Sequence, residues 1–512
     1  MLPAAGVAAL LLLPVVYLAL RTLGAGTEAW DLLFRLRVLQ ILGRTVLLVV
    51  AVSLGSIALA VPLAWLTVRT DLPHRKIWAV LAALPLVIPS YVGGFVVVVA
   101  LGPRGMLQGL LDGPFGIERL PDIHGFPGAF LTITFLSYPY VLLTVRAALQ
   151  RMDPSLEETS RSLGFGPWPT FLRVTLLQLR PAIATGALLV GLYTLSDFGA
   201  VSLLRYETFT WAIFVQYESA LDRTLGAALS LVLVGFALGI VAAESLTRGR
   251  SRYYSSGSGA ARPSVPVRLG RWRWPAVAFC AAVAIASLAL PVSILGYWVV
   301  RGVAAGEPLL IVWGNIWNSM YVSALAAVAA VAASLPIAIV SVRYPGLFST
   351  LAERVTYIGF ALPGIAIALS LVFFGAKNAT PLYQTVGLLI FAYVVLFLSP
   401  AVGAVRTSLL QISPHMEEAA RSLGRSPLRV FSSVTIPLVR PGIISGAALV
   451  FLLTMKELPA TLILSPVGFT TLATSIWAAT SEAFFAQAAA PALLLILASS
   501  IPLAFLMLRE RR

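Results

Sequence analysis

Few side chains in this sequence are equipped for chemistry, and their spacing limits what kind. Cys280 is the single cysteine, so no disulfide forms within the chain and no thiolate metal site exists. It sits in an apolar run and reads as a small buried hydrophobe. His74, His124 and His415 are scattered without ligand spacing and read as loop residues. No G-x-x-x-x-G-K-[ST] loop is present to cradle phosphates, and no catalytic group stands out. Carboxylates remain, in two settings. Asp197 and Glu457 lie in the otherwise apolar stretches LYTLSDFGAVSLL (192–204) and LLTMKELPATLIL (452–464). Glu157, Glu158, Glu417 and Glu418 open two copies of one polar octet, EETSRSLG (157–164) and EEAARSLG (417–424).

An acidic residue inside an apolar span is costly and as a rule faces a cavity or a partner. Two such carboxylates at equivalent positions can line one shared pathway, and carboxylate oxygen suits a hard cation. Ser196, Asp197, Lys456 and Glu457 are therefore candidate pathway residues, with no metal assigned to them. Two plainer readings compete. In one, Lys456 neutralises Glu457; adjacent helix residues do not face each other, so this requires Gly199 and Pro459 to unwind the segments. In the other, both carboxylates sit at helix ends in headgroup water, where charge is cheap.

The elements that must hold these residues are membrane spans. The chain has 512 residues, 59% of them hydrophobic and 11% charged, with a mean hydropathy of +0.92; a soluble domain carries about a quarter charged residues. A span needs roughly 20 apolar residues. Twelve stretches qualify: 3–21, 45–68, 77–101, 126–147, 180–204, 225–246, 274–299, 317–342, 355–376, 384–404, 439–464 and 486–508. The first ends on Arg21 without a small-residue cleavage site, and reads as a retained helix rather than a signal peptide. In a soluble chain a net charge of +15 would raise nucleic-acid binding. Here it fits the positive-inside rule. With the N-terminus in the cytoplasm, most of the 36 Lys and Arg fall on the inner side, seven of them arginines in 248–273. Both termini are then cytoplasmic and no nucleic acid is expected.

The chain is also a tandem repeat. Aligned without a gap, 152–183 and 412–443 share Pro154, Glu157, Glu158, Arg161, Ser162, Leu163, Gly164, Pro167, Phe171, Val174, Thr175, Arg180, Pro181 and Ile183 with their counterparts 260 residues on. Gly186 and Gly446, and Thr194 and Thr454, continue the match, and Asp197 pairs with Glu457. Upstream the offset becomes 274: Pro62 pairs with Pro336, Val68-Arg69 with Val342-Arg343, and Pro89 with Pro363. The extra 14 residues fit a longer outer loop at 102–125. The expected fold is an all-α integral membrane protein of about twelve transmembrane helices, in two parallel six-helix repeats. The first repeat covers 1–247 and the second 274–512, joined by the basic, Gly/Ser/Pro-rich segment 248–273, a flexible cytoplasmic linker.

Each octet has the grammar of a short helix. Asp153 or Ser413 is an N-cap, with Pro154 or Pro414 at the first helical position. Glutamates follow in the first turn, where the helix dipole favours them, and Gly164 or Gly424 closes the helix. Pro167, or Ser426-Pro427, opens a second short helix. On one copy, Glu157 and Glu158 would pass as surface partners of Arg161, worth about 0.3–0.5 kcal/mol. Repetition at the same place in both halves points instead to a stiff element on which a partner pushes. The outer segment 208–223 reads as amphipathic and aromatic, suited to the membrane interface.

The second copy, EEAARSLGRSPLRVFSSVTIPLVRPGI (417–443), resembles the cytoplasmic coupling motif of binding-protein-dependent ABC importer permeases. The first copy departs from it at Thr159-Ser160 and at Leu177. SDFGAVSLL followed by TFTWAI (208–213), and KELPATLIL followed by GFTTLATSIW (468–477), look like the fused two-repeat permeases of ferric-iron uptake, over nearly the full length. Fused thiamine permeases share the architecture. The resemblance implies a type I importer permease fold in the bacterial inner membrane, with coupling loops at 152–180 and 412–440. It implies that Glu157, Glu158, Arg161 and Gly164 serve one ATPase subunit, and Glu417, Glu418, Arg421 and Gly424 a second copy. ATP and Mg would be bound by those subunits and no cofactor by this chain. A periplasmic or lipid-anchored binding protein would deliver substrate. A secondary transporter driven by an ion gradient has a similar duplicated plan, but needs no ATPase dock.

Overall fold

The computed structural model describes residues 1–23, 35–152, 155–218, 223–248, 266–307 and 313–509. Among them every regular element is helical, apart from one bridge between Thr70 and Val267. Among the described residues ten helices are long and apolar enough to cross a membrane, and an eleventh crossing forms if one bent pair is joined. Each of the twelve stretches expected from sequence has a helical counterpart, and the differences lie where a span is broken or short. The expected span 77–101 is a short helix Arg75–Leu81, a 3-10 turn Leu84–Val87 and a helix Ser90–Leu101. The expected span 355–376 is the pair Leu347–Ala361 and Gly364–Asn378, bent by 102°. Proline explains both breaks: Pro85, Pro89 and Pro363 lack the N–H that would continue the ladder. The stretch at 225–246 lies in the helix Arg223–Arg248, whose apolar part Gly226–Ile240 is too short to count among the ten.

The chain forms two compact units that do not coincide with the sequence halves. One comprises Met1–Val38, Phe209–Leu238 and Arg301–Arg512. Its centre is the helix Trp313–Arg343 packed against Val386–Leu410 and Ile436–Met455. The first helix of the chain, Leu2–Leu23, joins this unit: the Tyr17 hydroxyl donates to the Phe373 carbonyl at 3.2 Å, and the Ser370 hydroxyl to the Pro14 carbonyl at 2.7 Å. The segment 208–223 contains a helix, Phe209–Glu218, that buries Phe209, Ala212 and Ile213 and packs on Gly364–Asn378.

The other unit comprises Leu39–Thr208 and Gly239–Val300. The first span of the second half belongs here, where Ser287, in its π-turn Ile285–Ala289, lies 3.4 Å from the Tyr138 hydroxyl. Cys280 is buried in the same span. Most of the linker, 249–265, lies outside the described residues. Its end does not dangle: Val267 N–H donates to the Arg69 carbonyl at 2.8 Å, and Asp71 N–H to the Val267 carbonyl at 3.1 Å.

Small residues set the helix spacing, as expected where no water drives apolar surfaces together. A Cβ on Gly186 would meet Val141 Cα at 2.7 Å and Thr144 Oγ1 at 2.6 Å; on Gly446 it would meet Ala401 Cα at 3.3 Å. Gly186→Ala therefore costs about 1–3 kcal/mol by overpacking, and Gly446→Ala costs less. Unfolding midpoints of the two variants in detergent check the ranking, and equal midpoints would refute it.

Candidate functional site

Both octets form the short helices expected of them. The first runs Ser155–Ser162 and the second Pro414–Ser422. Asp153 and Pro154 lie outside the described residues. In the second copy Ser413 occupies the N-cap and Pro414 the first position, but the serine side chain makes no capping bond. Both helices close in the same way. Gly164 and Gly424 have φ of 87° and 78°. Phe165 N–H reaches the Ser160 carbonyl at 3.2 Å and Arg425 N–H the Ala420 carbonyl at 3.2 Å, the bonding of a Schellman cap. The second short helices, Pro167–Thr170 and Pro427–Val430, run through π-turns Phe171–Thr175 and Phe431–Thr435 into the next spans.

The first glutamate of each octet does not pair with the arginine one turn on. Glu157 is buried, and its Oε1 accepts from the Thr175 hydroxyl at 2.7 Å and lies 3.9 Å from Arg69 Nε. Glu417 Oε1 accepts from the Thr435 hydroxyl at 3.0 Å and from Arg343 Nη2 at 3.3 Å. The arginines also donate to the chain just before each helix, Arg69 to the Met152 carbonyl and Arg343 to the Ile412 carbonyl, both at 3.2 Å. Glu158 and Glu418 are exposed, and Glu418 bonds His415 Nδ1 at 3.0 Å. Arg161 is half-buried and Arg421 exposed. Around each glycine bend large apolar side chains stand in the open: Leu163 and Trp168 in the first copy, Leu423 and Leu428 in the second.

Asp197 and Glu457 share a second duplicated geometry. The expected spans 180–204 and 439–464 both break at the carboxylate. Helix Leu176–Ser196 ends at Asp197, which leads into Gly199–Leu203; helix Ile436–Met455 ends at Lys456, which leads through Glu457 into Pro459–Leu464. Asp197 Oδ1 accepts from the Ala200 and Val201 N–H groups at 3.0 and 3.3 Å, and Ser90 lies beside its carboxylate. Glu457 Oε1 accepts from Ala460 N–H at 3.2 Å. Gly364 stands where Ser90 stands in the first repeat, and a Cβ there would collide with Glu457 Oε1. Each carboxylate thus caps the short helix after the break and touches the first residue of a longer one, Ser90–Leu101 or Gly364–Asn378. Helix N-termini favour negative charge, so each short helix offers its carboxylate a favourable end. The Ser196 hydroxyl donates to the Tyr193 carbonyl at 3.0 Å, and Lys456 is half-buried.

Comparison with known proteins matches the family described as binding-protein-dependent transport system inner membrane component to residues 56–305 and 328–512. The chain belongs to that family. This permease is 38% identical over 96% of its length, and over 94% of the relative's, to the Fe(3+)-transport system permease protein FbpB 2 of Haemophilus influenzae. It is 25% identical over 79% of its length to the ferric transport system permease protein FbpB of Actinobacillus pleuropneumoniae, covering 62% of that chain. It is 34% identical over 31% of its length to the molybdenum transport system permease protein ModB of Escherichia coli, covering 69% of that chain.

Among the described residues of the permease, no group of three or more His, Cys, Asp or Glu side chains gathers as a metal site. His124, read from sequence as a loop residue, has Asp122 Oδ1 2.6 Å from its Nδ1. The His124 backbone N–H, together with the ring, holds the Asp122 carboxyl below its usual range. Sequence reasoning missed Arg69 and Arg343 as site residues. The signal was present: a charge recurs at the end of one span in both repeats.

Proposed function

We propose that this permease forms the translocation pathway of an ATP-driven importer for ferric iron. It takes the ion from a periplasmic or lipid-anchored binding protein and releases it to the cytoplasm by alternating access. ATP is hydrolysed by two copies of a separate ATPase subunit, one at each coupling helix, and both termini lie on the cytoplasmic side. The 38% identity to an Fe(3+)-transport permease over nearly the whole chain carries the substrate reading. The docking reading is supported by the two copies of one geometry. In each, a capped helix presents an outward glutamate and an exposed leucine beside the glycine bend. Asp197 and Glu457 hold the broken spans in shape, with Ser196 and Lys456 beside them.

Uptake of radiolabelled ferric iron by cells expressing the chain with its ATPase and binding protein tests this. Wild type accumulates iron, and the Asp197→Asn/Glu457→Gln double variant accumulates less, because the amides are weaker partners for the helix ends. A wild type that moves no iron while the ATPase co-purifies would overturn the substrate and leave the importer, with thiamine the next solute to try. An ATPase that does not bind at all would overturn the coupling loops.

A further inference from the structure

We propose that Arg69 and Arg343 are positioning residues: each latches a coupling helix to the end of a membrane span, so that helix and span move as one. The inference rests on the docking role given above to the coupling helices. Arg69 is the last residue of the helix Leu36–Arg69, and Arg343 the last of Trp313–Arg343. Neither side chain is free to sample solvent, with exposures of 4% and 12%. Each guanidinium donates to the carbonyl before the helix and faces the glutamate in its first turn, with a hydrogen bond at 3.3 Å in the second copy and at ion-pair distance, 3.9 Å, in the first.

A third element closes the latch. The same carboxylate oxygen that faces the arginine accepts the threonine hydroxyl at the end of the π-turn, Thr175 or Thr435, where the following span begins. One oxygen thus ties the preceding span, the coupling helix and the following span. π-Turns are rare and concentrate at functional sites. The arrangement occurs once in each compact unit, on residues related by the two offsets of the repeat. A chance surface pair would not recur with all three partners in place.

The two glutamates of each octet therefore divide the work. Glu157 and Glu417 face inward and pull on the spans; Glu158 and Glu418 face outward. Arginine suits the inner task because its planar fork reaches carbonyl and carboxylate together, which a lysine point charge does not. Coupling energy is carried through such contiguous ionic contacts between elements with two arrangements.

The test uses the full complex with its ATPase, with spin labels on Met416 and Tyr344, both exposed. In wild type the distance between the labels stays constant when ATP is added, since helix and span travel together. In Arg343→Met the ATPase still binds and hydrolyses ATP, but the distance changes on ATP addition. The iron moved per ATP then falls about tenfold, the size of effect such coupling contacts carry. Arg343→Lys restores part of the ratio. Thr435→Val, which removes only the hydroxyl, acts in the same direction by a smaller factor and guards against a misfolded arginine variant. If the labels keep their distance in Arg343→Met while the ATPase is bound and cycling, the latch is wrong and the docking role survives. If the ATPase does not bind wild type, the docking role fails and the latch falls with it.

Discussion

Gly364→Ala abolishes most transport, whereas Gly364→Ser combined with Glu457→Asp keeps it. The added methyl would collide with Glu457 Oε1 and lie 3.4 Å from Pro459 Cγ. The carboxylate must move, and in moving it loses the Ala460 N–H at 3.2 Å. An unsatisfied carboxylate costs about 1–3 kcal/mol or more, and the crowded site adds a similar overpacking cost. The first repeat shows the remedy. There Ser90 occupies the position of Gly364 and the shorter Asp197 that of Glu457, and the serine side chain fits beside the carboxylate. Side-chain volume has moved from one partner to the other while the cap on the short helix is kept. Gly364→Ser/Glu457→Asp therefore recovers the unfolding midpoint and the iron uptake that Gly364→Ala loses. If Gly364→Ala behaves as wild type, or the double variant is no better than Gly364→Ser alone, the carboxylate is not a structural clasp.

The legible parts of this molecule were those written locally or written twice. The octets announced short helices because proline, acidic first turns and glycine closure act within one or two turns, and both glycines take the left-handed backbone expected of them. The offset of the repeat located Asp197 opposite Glu457 in sequence, and both sit at breaks. What hydropathy could not see was bending. Runs such as 77–101 are apolar throughout, and a window average does not register that Pro85 and Pro89 remove backbone donors within it. Nor could it see which first span packs in which unit, since an all-round apolar helix carries no face that names its neighbour. The inward turn of Glu157 and Glu417 was hidden for a different reason. Helix spacing offers Arg161 or Arg421 as the obvious partner. The true partners, Arg69 and Arg343, are brought in by the tertiary fold, where a shielded ion pair counts for more than an exposed one.

Gly424→Val uncouples the second dock, and Gly164→Val the first, through the backbone rather than through a clash. A Cβ at either glycine meets nothing within 4 Å. The obstacle is φ, 78° and 87°, where a residue with a side chain pays about 1–2 kcal/mol and a β-branched one is most disfavoured. The chain relieves that strain by unwinding the last helical turn. The Arg425 N–H then leaves the Ala420 carbonyl, and exposed Leu423 shifts away from the outward face. Asparagine tolerates this backbone, so Gly424→Asn stays close to wild type. Gly424→Asp adopts it too but sets a charge beside the apolar Leu423, and loses uptake for that different reason. Uptake and ATPase co-purification, measured together, separate the cases: valine and aspartate lose both, asparagine keeps both. An asparagine variant as inactive as the valine one would mean that the glycine is needed for close approach of the partner, not for its backbone.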